Sequence, residues 1–300
     1  MLSISRFARS IDGLRPLGGP PILLLSLPRG GSSWLGSIMG AAENAYYFRE
    51  PMTQSYQALY RGGPVTFEFE ACVDRRAYRR FAAAAFYGLP AFSASVRPYR
   101  NQGGWRERPG RRVVVKEVNP LALDWILESY APVVVYLVRH PVAVANSYHS
   151  RGWTGLPLER MFTPASLSAL EARYEIGSGL DFWERMGAFQ AMVQNQVVEA
   201  LAAAPAFKVV EYERLCTDPL EVFEQLFEFC GLTMDRRIRE QITRSTTARA
   251  QYTPGRYDTR RASSDMADRW RSLVDESRIA RVRRGYVANS PRFYLREAQW

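Results

Sequence analysis

From Pro21 to Met39 the chain reads PILLLSLPRGGSSWLGSIM: a short apolar run, then Pro28-Arg29-Gly30-Gly31-Ser32-Ser33, then a helical pattern. An unbroken apolar run of strand length that ends in glycines and passes into a helix is how a buried parallel strand delivers an anion-binding loop. Gly30 and Gly31 let the backbone come close to a ligand. The unpaired N–H groups of the first helical turn, around Gly31 to Trp34, offer partial positive charge, and Ser32 and Ser33 add hydroxyl donors. Arg29 places a fixed charge at the same point.

The rest of the chain is consistent with such a loop. Ser32 to Ala42 is expected to be a helix, and Asn44 to Phe48 a short extended piece ending at Arg49-Glu50-Pro51-Met52. The residue before a proline is pushed out of helical geometry, which puts Glu50 in a turn just past an element end. Ala71 to Phe86 reads as a basic amphipathic helix, either a solvated or an anion-facing surface. Leu89 to Arg111 reads as an irregular loop over a cleft. Arg112–Lys116, Pro132–Val138 and Phe207–Val210 are three further buried strands. Helices are expected from Asn119-Pro120 to Tyr130, from Pro141 to about Arg151, from Leu180 to Ala203 and from Asp218-Pro219 to Cys230. This alternation predicts an α/β fold, a P-loop NTPase-like parallel β-sheet flanked by helices. Residues 1–20 read as a flexible leader and residues 21–300 as one domain.

Three hundred residues with 47% hydrophobic content give an ample core. The net charge is +10, and only Lys116 and Lys208 of the forty basic residues are lysine. An arginine-dominated surface suits nucleic acid, an anionic membrane or a polyanionic small ligand, and a general arginine bias in composition gives the same balance without any ligand. Cys72, Cys216 and Cys230 are odd in number and lack CxxC spacing, so neither a disulfide framework nor a zinc site is expected. Two histidines argue against a histidine-rich metal centre. No apolar run reaches transmembrane length. The first twenty residues carry Arg6, Arg9 and Arg15 without the apolar stretch of a signal peptide, so a cytoplasmic location is the default expectation.

An ATP or GTP loop reads GxxxxGK[ST], with a lysine for the outer phosphates and a hydroxyl for Mg²⁺. Here the basic residue precedes the glycines, and Ser32-Ser33-Trp34 follow. That order, P-[RK]-x-G-[ST]-[ST], resembles the 5′-phosphosulfate loop of sulfotransferases that use 3′-phosphoadenosine 5′-phosphosulfate (PAPS). Tyr136 to Ser147 reads YLVRHPVAVANS, an arginine at a strand end and a helical serine eight residues on. In a doubly wound sheet this turn lies beside the first loop, because ligands bind outside the carboxyl ends of strands. Arg139 can grip phosphate through parallel N–H bonds, and Ser147 can add a hydroxyl. The spacing resembles the family's 3′-phosphate motif, with His140 standing where Asp or Asn is frequent.

The likeness extends over residues 21 to 290. Val210-Glu211-Tyr212-Glu213-Arg214-Leu215, then Asp218-Pro219 and Phe229-Cys230-Gly231-Leu232, resembles the family's YEDL, DP and FLGL segments. The resemblance implies an adenine-side aromatic at Tyr212 and an adenine-stacking tryptophan at Trp34, although an early helical aromatic also suits a core. Arg269-Trp270-Arg271 and the helix to Gly285-Tyr286 resemble the closing segment. The arginine and glycine loop that finishes the 3′-phosphate site is represented by Arg260-Arg261 and lacks the glycines.

The resemblance implies transfer of a sulfuryl group from PAPS, as co-substrate, to a hydroxyl ahead of an amine, with no metal required. Such transfer needs neutralisation of charge on the bridging oxygen, in-line alignment and removal of the acceptor proton. The candidate catalytic residues are Arg29, Glu50, Lys116 and Glu117. Cytosolic members place a histidine two residues after a strand-end lysine; here Lys116 is followed by Glu117 and Val118. Carbohydrate-type members read RSGSSFL and then a Glu-Pro pair, and Glu50-Pro51 stands at their spacing, twenty-one residues after Arg29. Glu50 is the first candidate for the base and Glu117 the second. The acceptor is read as a carbohydrate, glycolipid or small metabolite; no nucleic-acid partner is expected, and a homo-oligomer is left open. The competing readings are a P-loop kinase, which needs a lysine after the glycines and a metal-binding acid, and a non-catalytic nucleic-acid binder, which needs no Arg139–Ser147 pairing.

Overall fold

A computed structural model describes residues 18–54, 76–89, 110–156, 158–177, 179–247 and 264–300. Its centre is a five-stranded parallel sheet. The strands are β1 (Ile22–Leu25), β2 (Ala45–Arg49), β3 (Arg112–Glu117), β4 (Val133–Val138) and β5 (Ala206–Glu211), in the order β2-β3-β1-β4-β5. The P-loop strand therefore lies in the middle, with Leu25 opposite Glu117 on one side and Tyr136 on the other. Strands covered on both faces need side chains that are apolar at every position, and all four residues of β1 are completely buried. The edge strand β5 is more open, with Phe207 about half exposed.

Two apolar layers enclose the sheet. One holds α1 (Ser32–Met39) with the later helices α7 (Pro219–Phe229) and α8 (Arg236–Thr247); Leu35, Ile38, Phe223, Phe227 and Ile242 meet Leu24 and Tyr47 there. The other holds α2 (Arg76–Phe86), α3 (Leu123–Tyr130), α4 (Pro141–His149) and α5 (Phe182–Leu201), with α9 (Glu276–Ala288) laid against α5. Close approach of α5 and α9 depends on two glycines. A Cβ on Gly187 would stand 2.0 Å from the Val282 carbonyl oxygen, and one on Gly285 would stand 2.0 Å from that of Glu184.

The expected elements are found, with shifts that have local causes. Helix α1 ends at Met39, short of Ala42, at Gly40. Helix α5 begins at Phe182 because the Asp181 carboxylate caps it, accepting from the Trp183 and Glu184 N–H groups. Asn119 does not cap its helix: its amide donates to the Tyr78 hydroxyl at 3.3 Å, and a 3₁₀ turn over Pro120–Ala122 leads into α3. Asp218 likewise makes no cap bond. The expected basic helix is found over Arg76–Phe86; its proposed first part, and residues 90–109 of the expected loop, lie outside the described residues. Helices at Leu158–Met161 and Pro164–Arg173 and α8 were not expected; they are short or mostly polar, and only single residues such as Leu158, Ile238 and Ile242 reach the core. Cys216 and Cys230 are buried free thiols. No helix among the described residues is long and apolar enough to cross a membrane.

Candidate active site

The loop that follows β1 turns on backbone that side chains rarely adopt. Arg29 has φ 69° and Gly31 φ 96°. At Gly31 only glycine fits, since a Cβ would lie 2.4 Å from the Tyr212 ring. Gly31 is the cap residue of α1, and no side chain caps that helix. The N–H groups at its start face the carboxyl edge of the sheet, the arrangement that attracts an anion. Ser32 is buried and its hydroxyl accepts from Ser26 Oγ at 2.7 Å, which ties the helix start to the end of β1. Ser33 is half-buried beside it.

The second half of the site arrives from β4 and α4. Arg29 Nε donates to Ser147 Oγ at 2.9 Å. Arg139 Nη1 donates to the Arg29 carbonyl at 3.1 Å, and its guanidinium sits 4.4 Å from the centre of the Tyr212 ring. Two basic side chains and one hydroxyl thus converge from segments more than a hundred residues apart in the chain. Tyr212, at the start of α6 (Tyr212–Thr217), meets Trp34 edge-on at 6.5 Å. Trp34 is itself 8% exposed, edge-on to Phe223, with its indole N–H donating to Ser245 on α8 at 3.1 Å.

The third component is carboxylate-rich. Glu50 follows the last residue of β2 at φ 50°, and its N–H donates to the Lys116 carbonyl at 2.6 Å. Lys116 Nζ pairs with Glu50 Oε1; the lysine side chain is 2% exposed and the glutamate 18%, so the carboxylate is the accessible member. Burial acts to raise the Glu50 carboxyl, but the adjacent Lys116 charge and hydrogen bond outweigh it and hold the group below its ordinary value. Burial pulls Lys116 below its ordinary value, opposed by Glu50. Glu117 is wholly buried, and burial pushes its carboxyl up to about 7 against bonds from Thr53 and Met52 that favour the charge.

Three residues of this region had not been singled out for a role. Ser26 is the serine that interrupts an apolar run, a signal that was available. Glu213 lies within the Tyr212 segment; its carboxylate accepts from the His140 N–H at 3.0 Å and the Tyr294 hydroxyl at 2.6 Å, which fastens the Arg139 turn to the C-terminal segment. Thr53 left no signal, since its partner is sixty-four residues away. Arg260 and Arg261 lie outside the described residues.

A family model described as the sulfotransferase family matches residues 20–236, which hold the loop, both strand-end motifs and the carboxylate pair. The chain belongs to the sulfotransferase family. Among solved structures it is similar to the sulfotransferase domain of the olefin synthase of Synechococcus PCC 7002, at 16% identity and a TM-score of 0.51, covering 89% of this chain and 94% of that one. It also matches the sulfotransferase domain from the curacin biosynthetic pathway, at 17% identity and a TM-score of 0.49, over 88% and 96% of the two chains. A third match is the mouse sulfotransferase SULT7A1 complexed with PAP, at 15% identity and a TM-score of 0.49, over 99% and 93%. No curated protein matches the chain in sequence. Membership of that family makes sulfuryl transfer the general chemistry of the chain.

Proposed function

We propose that the protein transfers a sulfuryl group from PAPS to an acceptor hydroxyl. The observation that carries this reading is the convergence of Arg29, Ser147 and Arg139 beside the uncapped start of α1. Two features fit a bound phosphosulfate nucleotide. Arg139 Nε is buried without a hydrogen-bond partner among the described residues, and the Gly31 position leaves no room for a side chain between loop and Tyr212. When bound, PAPS supplies the sulfuryl group on a phosphate leaving group.

In this reading Arg139 and Ser147 hold the 3′-phosphate. Arg29 and the N–H groups from Gly31 to Ser33 balance the charge that grows on the bridging oxygen. The transferred group carries less charge than a phosphoryl group, and a basic loop serves without Mg²⁺. Tyr212 and Trp34 are more than nine-tenths buried and act chiefly by keeping the loop in shape. Glu50 accepts the hydroxyl proton as the new oxygen–sulfur bond forms, and Lys116 keeps its carboxylate ionised until then. The acceptor class is a carbohydrate, glycolipid or small-metabolite hydroxyl.

Thermal shift separates this reading from its competitors. The desulfated product 3′-phosphoadenosine 5′-phosphate (PAP) should stabilise the protein in the presence of a chelator, and ATP with Mg²⁺ should do less. Stabilisation by an oligonucleotide alone would overturn the reading. A mass-spectrometric acceptor screen for a gain of one sulfuryl group then identifies the substrate.

A further inference from the structure

Glu50 stands in a backbone conformation that costs a residue with a side chain energy, and such conformations persist only where the surroundings over-determine them. One constraint is in front of it: its N–H is held by the Lys116 carbonyl. The other lies behind it, in the helical residues that begin at Pro51, and one side chain from β3 supplies it. Glu117 Oε1 accepts from the Met52 N–H at 2.7 Å and the Thr53 N–H at 3.2 Å. Glu117 Oε2 accepts from the Thr53 hydroxyl at 2.5 Å and from the Val118 N–H at 3.3 Å. All of these groups are buried, so no water competes for the bonds.

We propose that Glu117 is a positioning residue for catalysis: by clamping Met52 and Thr53 it fixes the turn that aims the Glu50 carboxylate at the acceptor. This rests on the reading of Glu50 as the base. Consecutive residues of one strand, Lys116 and Glu117, then divide the task. Lys116 holds Glu50 itself, through Nζ to the carboxylate and through its carbonyl to the backbone N–H, and Glu117 holds the two residues that follow Pro51. The arrangement also explains how a glutamate with no exposed surface serves a proton transfer that it does not itself perform: its oxygens are occupied by Met52, Thr53 and Val118, while the Glu50 carboxylate, bonded by Lys116 and more loosely by Gln54 at 3.3 Å, keeps an exposed face.

The chemistry of the clamp makes it separable from a base. Gln at position 117 has the shape of a protonated carboxylic acid: its oxygen still accepts from the Met52 and Thr53 N–H groups, its amide donates to the Thr53 oxygen, and only the long Val118 bond is lost. A base cannot survive that change, whereas a clamp can. Met at 117 fills the space and removes every acceptor.

The test compares Glu50→Gln, Glu117→Gln, Glu117→Met and the double variant Glu50→Gln/Glu117→Met, by kcat, by KM for PAPS and by calorimetric PAP affinity. Glu117→Gln should lose less than about tenfold in kcat, and Glu117→Met more than that with PAP affinity unchanged. The double variant should be no slower than Glu50→Gln, because both changes remove the same contribution. Multiplying effects, or equal losses in Glu117→Gln and Glu117→Met, would overturn the positioning role while leaving Glu50 as the base. Near wild-type turnover in Glu50→Gln would overturn the base reading itself, on a separate arm. If Glu117→Met does not fold, Thr53→Val takes its place: a fall in kcat that does not add to that of Glu50→Gln is expected, and an additive one contradicts the proposal.

Discussion

Arg29, on the loop after β1, donates from Nε to the hydroxyl of Ser147 on α4 at 2.9 Å. One bond thus joins the two halves of the proposed cofactor site, the half for the transferred group and the half for the 3′-phosphate. The Arg139 bond to the Arg29 carbonyl closes the same connection from the other side. The loop is therefore held in its binding shape by the groups that would share the ligand with it.

The two arginines should fail differently. Arg29→Ala should damage turnover more than binding, because its charge is most useful when the bridging oxygen becomes anionic. Arg139→Ala should chiefly weaken PAP binding. Steady-state kinetics paired with calorimetry checks this, and identical profiles would refute the division of roles.

Gly31→Ala should abolish tight PAP binding. The new Cβ meets the Tyr212 ring at 2.4 Å in a backbone conformation that L side chains rarely adopt, and the ring is pinned by Arg139 and Trp34. The expected destabilisation is about 1–3 kcal/mol. Calorimetry and thermal melting report the two effects separately, and unaltered affinity would contradict the account of the loop.

Lys116→Met should move the acid limb of the rate profile upward. Glu50 must be ionised to accept a proton, and with Lys116 present its carboxyl lies below its ordinary value of 4.5. Without the lysine, burial dominates and the carboxyl rises, so activity should fall away at a higher pH than in the parent protein. A limb that stays in place would show that the pair does not control the base.

Glu117 should imprint a slope on stability. Its folded carboxyl lies at about 7 and its ordinary value is 4.5, so the native state binds the proton more tightly than the unfolded chain. Stability from this group is present below pH 4.5 and is lost as pH rises through 7, by roughly 3 kcal/mol in all. Denaturant titrations of the parent protein and Glu117→Gln from pH 4.5 to 8 should differ by that slope. Parallel curves would contradict it.

The sequence carried the sheet and the loop because both rest on local patterns: short apolar runs, glycines before a helix, an arginine at a strand end and a serine eight residues on. Leu25 and Val138 end strands where the apolar letters stop. The caps were less legible, since Asn119 found a partner in Tyr78 rather than in its own helix. Glu117 was visible as a carboxylate, but its hydrogen-bond partners Met52 and Thr53 are more than sixty residues away. Trp34 reads from the sequence either as a stacking residue or as core; its surroundings, Phe223 and Ser245, come from helices that the spacing of letters near residue 34 does not report.

The central claim, a nucleotide recognised by its 3′-phosphate at the Arg139–Ser147 turn, is tested most directly by calorimetry in the presence of a chelator. PAPS and PAP should bind at least about tenfold more tightly than adenosine 5′-phosphosulfate, because each lost charged hydrogen bond is worth roughly 1.5–3 kcal/mol. The preference should disappear in Arg139→Ala. Equal affinity of the parent protein for PAPS and adenosine 5′-phosphosulfate would contradict the account.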